Sequence, residues 1–343
     1  MDFIKKLIDD TLKYIKEAKI KSYNDISLSM RATEIILNER KFDISYKGPK
    51  KCDIFKCDKL VREFLSVLNP QYLEYYETRL LDGTIEFDLE NKDIQPFSAY
   101  DYENNKREIY IPITNTIEDA FTIIHELFHD MNLVITEDDV ICTYEELEED
   151  TEYSDNELEE NDEEEQKLGR YYFTEGLSYL GELMFSDFLK QHGKGDMEVD
   201  NRNLCSMREQ ALILNFKLNL INEYLINGYL DKQMVVDIFN AYDSNNIEKI
   251  ISNIYKKQDE FDIESEETYV FSSLIAVYMY DRIKTNKKYV NELFDLNEIL
   301  DNLHLNQVLD YLELDHNKFE LTNEAYDLLQ KKYRKFIKRQ LWF

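Results

Sequence analysis

Only eight glycines and four prolines interrupt 343 residues. A chain so poor in the two residues that break regular structure, and rich in Leu, Ile, Lys and Glu, is expected to run mostly as helix. Its length allows a well-buried core in one large domain or two. The N-terminus shows the pattern at once. Phe3, Ile4, Leu7, Ile8, Leu12 and Ile15 keep a helical period, with charges between them. Those charges exclude the apolar core of a signal peptide. No run of about 18 apolar residues occurs, so no membrane-spanning helix is expected. Four cysteines in a chain of this size do not make a disulfide scaffold. Buried free thiols and a cytoplasmic location are expected, with Cys52-x4-Cys57 lacking the second half of a metal site.

The formal charge is −30. Binding to nucleic acid is disfavoured, because neutralising phosphates needs a basic face. An anionic membrane surface is disfavoured for the same reason, and basic or neutral partners are favoured. The charge is uneven. Residues 145 to 165 carry 14 Asp or Glu in 21 positions, and no Lys or Arg occurs from Glu108 to Gln166. The run reads as a solvated insertion at about 137–166. A sharper alternative makes it a selector for Lys- or Arg-rich peptides. The basic C-terminus, "KKYRKFIKRQLWF", is a natural partner for it.

Along the chain, residues 1–78 read as two or three amphipathic helices, with a break at 46–53. The turn Asp82-Gly83 precedes the alternation Ile85, Phe87, Leu89, which reads as a strand. Residues 96–114 offer two more strands around Glu103-Asn104-Asn105-Lys106, the second being Arg107 to Ile113. A small antiparallel sheet is expected. Next comes "NTIEDAFTIIHELFHDMNL", a helix with Asn115 or Thr116 as N-cap and acids in its first turn. After the acidic run, "KLGRYYFTEGLSYLGELMFSDFLKQHG" is expected to be helical and to end near Gly193. Further helices are predicted at about 203–227, 231–243, 246–257, 266–285, 289–303 and 321–341.

The chemistry lies in His125-Glu126-Leu127-Phe128-His129. Residues four apart on a helix project from one face, so both imidazoles can meet one metal ion. Glu126, beside them, is placed to act as a general base without ligating. The competing reading is a pair of core histidines; the strand–turn–helix context favours the metal. A catalytic zinc needs a third protein ligand. His192 lies in a loop, and His304 and His316 lie far downstream. Glu175 begins a second helix of mixed polarity and is the better candidate, against a plain first-turn role at the helix dipole. Glu182, two turns on, is an alternative ligand or an orienting carboxylate, and Ser178 lies between them.

Three blocks carry a resemblance. Residues 97–132, 173–184 ("FTEGLSYLGELM") and 267–283 ("ETYVFSSLIAVYMYDRI") resemble the gluzincin zinc metallopeptidases, most closely the thimet-oligopeptidase and oligoendopeptidase F family. The resemblance implies one Zn²⁺ per chain held by His125, His129 and Glu175, with Glu126 as base and a serine, here Ser178, three residues after the glutamate. It implies a mainly α, zincin-like α+β fold with helical walls around an active-site cleft. It also implies a Tyr-rich late helix whose hydroxyls stabilise the transition state. Tyr269, Tyr278 and Tyr280 are the candidates, and Tyr269 is preferred because it lies near the helix start. The chain departs from the pattern in three ways. Phe128 replaces the usual glycine before the second histidine, the gap to Glu175 is longer, and the chain is shorter.

The resulting expectation is a zinc-dependent peptidase acting on oligopeptides or unfolded segments. Residues 1–95 would form one cleft wall and 96–343 the catalytic domain. Strand Arg107–Ile113 would lie at a sheet edge and bind an extended peptide through Ile109, Tyr110 and Ile111, and Pro112 suits an edge. The rivals are a non-catalytic zincin-fold binding protein with an acidic surface, and a single-target regulatory or toxin-type protease.

Overall fold

A computed structural model describes residues 3–38, 48–91, 94–101, 106–132, 157–194, 202–242, 261–285 and 323–341; in residues 157–171 only the backbone is described. In chain order its elements are α1 (Phe3–Glu17), α2 (Asn24–Leu37), α3 (Ile54–Leu68), α4 (Pro70–Leu81), β1 (Ile85–Asp88), β2 (Phe97–Asp101), β3 (Lys106–Pro112), α5 (Glu118–Asn132), α6 (Glu157–Gln191), α7 (Arg202–Asn227), α8 (Lys232–Ala241), α9 (Glu264–Thr285) and α10 (Asn323–Leu341). The mainly helical expectation holds. The helices predicted at 246–257 and 289–303 lie outside the described residues.

Local chemistry sets the helix limits. Asp53, Asn69 and Asp231 cap α3, α4 and α8 by accepting from Lys56 N, Gln71 N and Met234 N. Pro70 occupies the first position of α4, where a missing N–H is harmless. Gly193, with φ +67°, ends α6 close to the predicted stop. At the other end the acidic run is partly structured. Residues 157–165 form the first turns of α6, where anions suit the helix dipole. Residues 145–156 lie outside the described residues.

The chain divides into two compact units interleaved in sequence, and the first 95 residues contribute helices to both. One unit comprises α1, α2, α7, α8, α10 and α9 as far as Leu274. Here α7 packs on α1, α2 and α8, and α10 on α2. The core is aliphatic and aromatic: Leu7, Ile35, Leu214, Phe216, Val235 and Phe336 are buried. A buried cation interrupts it. Lys217 Nζ donates to Asp262 O (2.5 Å) and to Glu266 (2.7 Å). Beside it, Ser29 Oγ donates to Glu267.

The other unit comprises α3 to α6, the sheet, and α9 from Ile275 onward. Its three strands run in the order β1-β3-β2. Two expectations are corrected here. The sheet is mixed, with β1 parallel to β3 and β2 antiparallel. Strand β3 is central, not an edge. Ile109 faces both Ile85 and Ser98, and Tyr110 faces both Glu86 and Phe97, while Ile111 faces Phe87. Peptide addition to that strand is therefore blocked, and among the described residues β1 and β2 are the outer strands. Pro112 is tolerated for a different reason. Ile109 N and Ile113 N donate to β1, at Thr84 O (2.9 Å) and Asp88 O (2.7 Å). By alternation the Pro112 nitrogen points to the β2 side, where pairing has already stopped at Tyr110.

Glu267 yields a test of the first unit. Burial pushes its carboxyl up, Ser29 offsets part of this, and Glu264, Glu266 and Asp262 add to it, leaving the value at about 7 against an ordinary 4.5. The folded chain therefore holds a proton that the unfolded chain releases. Stability from this group is full below about 4.5 and is lost as pH rises through about 7. Glu267→Gln should stabilise the protein more at pH 8 than at pH 5 in urea titrations. An equal effect at both values would refute the assignment.

Candidate metal centre

The lead-in to α5 is tightly made. Asp119 is buried, and its carboxylate accepts from Thr114 N (2.9 Å), Thr114 Oγ1 (2.6 Å) and Asn115 N (2.8 Å). This holds Asn115 at φ +59°, a conformation that asparagine tolerates. Thr116 Oγ1 accepts from Glu118 N at 3.3 Å, so Thr116 takes the capping role and Asn115 makes the turn. Residues before α3 clamp the same turn: Ile117 N donates to Lys50 O (2.9 Å) and Cys52 N to Asn115 O (3.1 Å). Cys52 and Cys57 are buried free thiols here, and burial pushes both thiols up, away from reactivity.

The far end of α5 is held by a buried charge. Asp130 is fully buried and meets Arg79 Nε on α4 (3.1 Å) and Arg107 on β3 (3.0 Å). Tyr75 donates at 2.6 Å to Oδ2, the oxygen that Arg79 also meets, and Arg107 donates in addition to the Asp130 carbonyl at 2.5 Å. Two arginines at the C-terminal end of α5 also answer the helix dipole. Strand alternation places Arg107 on the same face as Ile109 and Ile111, which are buried.

Between these anchors α5 packs on α6. Glu175, Tyr179 and Glu182 fall on one face of α6 by helical spacing. His129 Nε2 lies 2.9 Å from Glu175 Oε2, and His125 Nε2 lies 3.3 Å from Glu175 Oε1. The two Nε2 atoms are 3.1 Å apart. Tetrahedral ligands at about 2.0–2.1 Å from zinc are separated by about 3.3 Å, so the three donors are spaced as one ion would hold them. Among the described residues His125, His129 and Glu175 form the one group of three such side chains that could hold a metal. Their side chains keep 17%, 21% and 7% of their surface, so the donors are partly open to solvent.

The surrounding groups suit the same ion. His125 Nδ1 lies 2.8 Å from Glu182 Oε1. An ionised carboxylate only accepts, so a neutral His125 ring would carry its proton on Nδ1 and leave Nε2 to serve as a ligand. Tyr179 sets its ring edge-on to His125 at 5.6 Å. Glu126, Glu175 and Glu182 are all buried. Burial pushes the Glu175 carboxyl up, but hydrogen bonds to His125 and His129 outweigh it and hold the carboxyl well below its usual range. Burial works against charge on His125, yet Glu175 and Glu182 raise its affinity for a proton well above normal. Burial raises Glu126, and His125 and His129 offset part of that. Three carboxylates around two imidazoles make a field that attracts positive charge, whether a proton or a divalent cation.

The structure thus brings together His125, Glu126, His129, Glu175 and Glu182. Ser178 is buried on the same helix and its hydroxyl donates back to Thr174 O (3.4 Å). Tyr280 donates to Asp187 on α6 at 2.6 Å and Tyr278 is buried. Tyr269 lies on the part of α9 that belongs to the first unit. His192 is turned to Phe188 O (3.0 Å), away from the centre. His304, His316 and Cys142 lie outside the described residues. Sequence reasoning missed Asp130 and its two arginines, since their pairing spans 23 to 51 residues. It also missed Tyr179, although the spacing of four from Glu175 was a usable signal.

No family model matches the sequence, and no curated protein is similar to it. Solved structures are similar in fold. A presumed peptidase from Chlamydophila abortus matches with 15% identity and a TM-score of 0.50, over 97% of this chain and 54% of its own. A presumed oligoendopeptidase F from Bacillus anthracis matches with 12% identity and a TM-score of 0.53, over 96% and 56%. A further presumed oligoendopeptidase F matches with 13% identity and a TM-score of 0.57, over 96% and 58%. The chain spans little more than half the length of these structures.

Asp130→Ala would strand two arginines that keep only about a fifth of their surface. It is expected to lower stability by about 3–5 kcal/mol in urea unfolding; a loss under about 1 kcal/mol would mean that the network does not hold α5. Over nearly all of its length this chain is similar in fold to the oligoendopeptidase F structures, and its described residues are mainly helical with a small mixed sheet.

Proposed function

We propose that the protein is a zinc-dependent peptidase acting on oligopeptides or unfolded segments. The observation that carries this reading is the convergence of His125 Nε2, His129 Nε2 and the Glu175 carboxylate, 2.9–3.3 Å apart, with Glu126 beside them. Those three side chains would hold one Zn²⁺ per chain. When bound, zinc lowers the pKa of water and polarises a carbonyl. Glu126 takes the proton from the attacking water and delivers it to the leaving amine. Its burial raises its affinity for that proton, which suits a base that must also act as an acid. Glu182 keeps the His125 ring in one orientation and one tautomer. The resemblance implies a tyrosine donor to the oxyanion, with Tyr269 as its candidate. A charge of −30 favours basic or neutral peptides over acidic ones.

The test starts with elemental analysis. The purified chain should carry about one zinc, and His129→Ala should lose it. Glu126→Gln should keep the metal while cleavage of a peptide library falls about 10²–10⁴-fold. A wild-type chain that takes up no zinc would sink the reading. Zinc uptake without cleavage of any peptide would leave the binding-protein rival in its place.

A further inference from the structure

Gly181 lies on α6 immediately before Glu182, on the side that meets α5. A Cβ built there would stand 3.0 Å from Phe128 Cδ1, 3.1 Å from Phe128 Cε1 and 3.1 Å from Ile124 Cγ2. Ordinary carbon–carbon contact is about 3.5–4.0 Å. Phe128 and Ile124 are fully buried, so neither has free space to turn into. Each also neighbours a proposed ligand, Ile124 beside His125 and Phe128 beside His129. The two helices are therefore tightly packed beside the point from which the carboxylates of α6 reach the imidazoles of α5. Those reaches are short: 2.8 Å from Glu182 to His125 Nδ1, and 2.9 and 3.3 Å from Glu175 to His129 and His125.

We infer that Gly181 is a positioning residue for the metal centre: its missing Cβ lets α6 approach α5 closely enough for Glu175 to ligate and Glu182 to orient His125. The inference rests on the metal reading given above. With alanine at 181, the helices part or the Phe128 ring pushes back, and either movement is comparable to the tolerance of a metal site. The direction is opposite to local propensity. Inside a helix, alanine is the better residue than glycine, so without the contact Gly181→Ala would stabilise the protein.

The experiment uses the full chain in four forms: wild type, Gly181→Ala, Phe128→Leu, and Gly181→Ala with Phe128→Leu. Zinc affinity is read by competition with a chromophoric chelator, and thermal unfolding is followed with and without zinc. Gly181→Ala is expected to weaken zinc binding about 10–100-fold. The double variant, with room restored opposite residue 181, is expected to bind within about threefold of Phe128→Leu alone. A wild type that binds no zinc overturns the metal reading, and this inference with it. A zinc-binding wild type whose Gly181→Ala form binds equally well overturns the inference alone, whatever its melting temperature. If Gly181→Ala does not fold, the double variant decides: affinity close to that of Phe128→Leu upholds the inference, and affinity tenfold weaker overturns it.

Discussion

Asp130 is a carboxylate with no exposed surface, and the place of α5 depends on how that charge is answered. Arg79 reaches it from α4 and Arg107 from β3, and Tyr75 closes the ring of donors. A buried charge is tolerable only when paired and hydrogen-bonded. The last turn of α5, which carries His129, is thereby tied to a strand and to a helix. The first turn is tied as firmly by Asp119 and by the chain at Lys50 to Cys52. A helix pinned at both ends offers a rigid base for two imidazoles, which is what a metal site requires.

Against that base, α6 supplies the counter-charge. Glu175 and Glu182 leave one helix face two turns apart and enclose His125 from both ring nitrogens. The carboxylates are buried, so the field between the helices is strong and poorly screened. In this field His125 gains affinity for a proton and Glu175 loses it. A divalent cation at the same point would answer the same field. The closeness of the two helices has a steric source in Gly181, set against Phe128 where the resembling family carries glycine. A small residue has a large neighbour here, and the sum across the interface stays packable.

Much of this was legible in the chain. The spacing of His125 and His129 needs only helical geometry, and the lead-in of α5 announces itself through Thr116 and Asp119. Glu175 was legible as a carboxylate on a helix of mixed polarity, although it lies in the middle of α6 and not at its start. The sheet was not. Alternation in residues 85–89 and 107–113 marks strands but does not say which lies in the middle. Parallel pairing of β1 with β3 joins residues 24 apart, such as Ile85 and Ile109, and no local pattern announces it, so Arg107–Ile113 lies in the centre where alternation alone suggests an edge. Charge density alone marks the acidic run as a solvated insertion. Its later part borrows helical structure from the core segment that follows it.

By itself, the sequence determined the helical character of the protein, the existence of its strands, the pairing of histidines on one helix face and the negative field around them. These are local properties, set by residue spacing, propensity and charge. Tertiary structure alone decided which strand lies in the centre, which carboxylate meets which imidazole, and which buried acid anchors α5. Each of those depends on contacts between residues tens of positions apart, and loop closure leaves no periodic trace of them in the chain. Only the folded backbone shows that a Cβ at position 181 would press on Phe128 and Ile124, the neighbours of the two imidazoles.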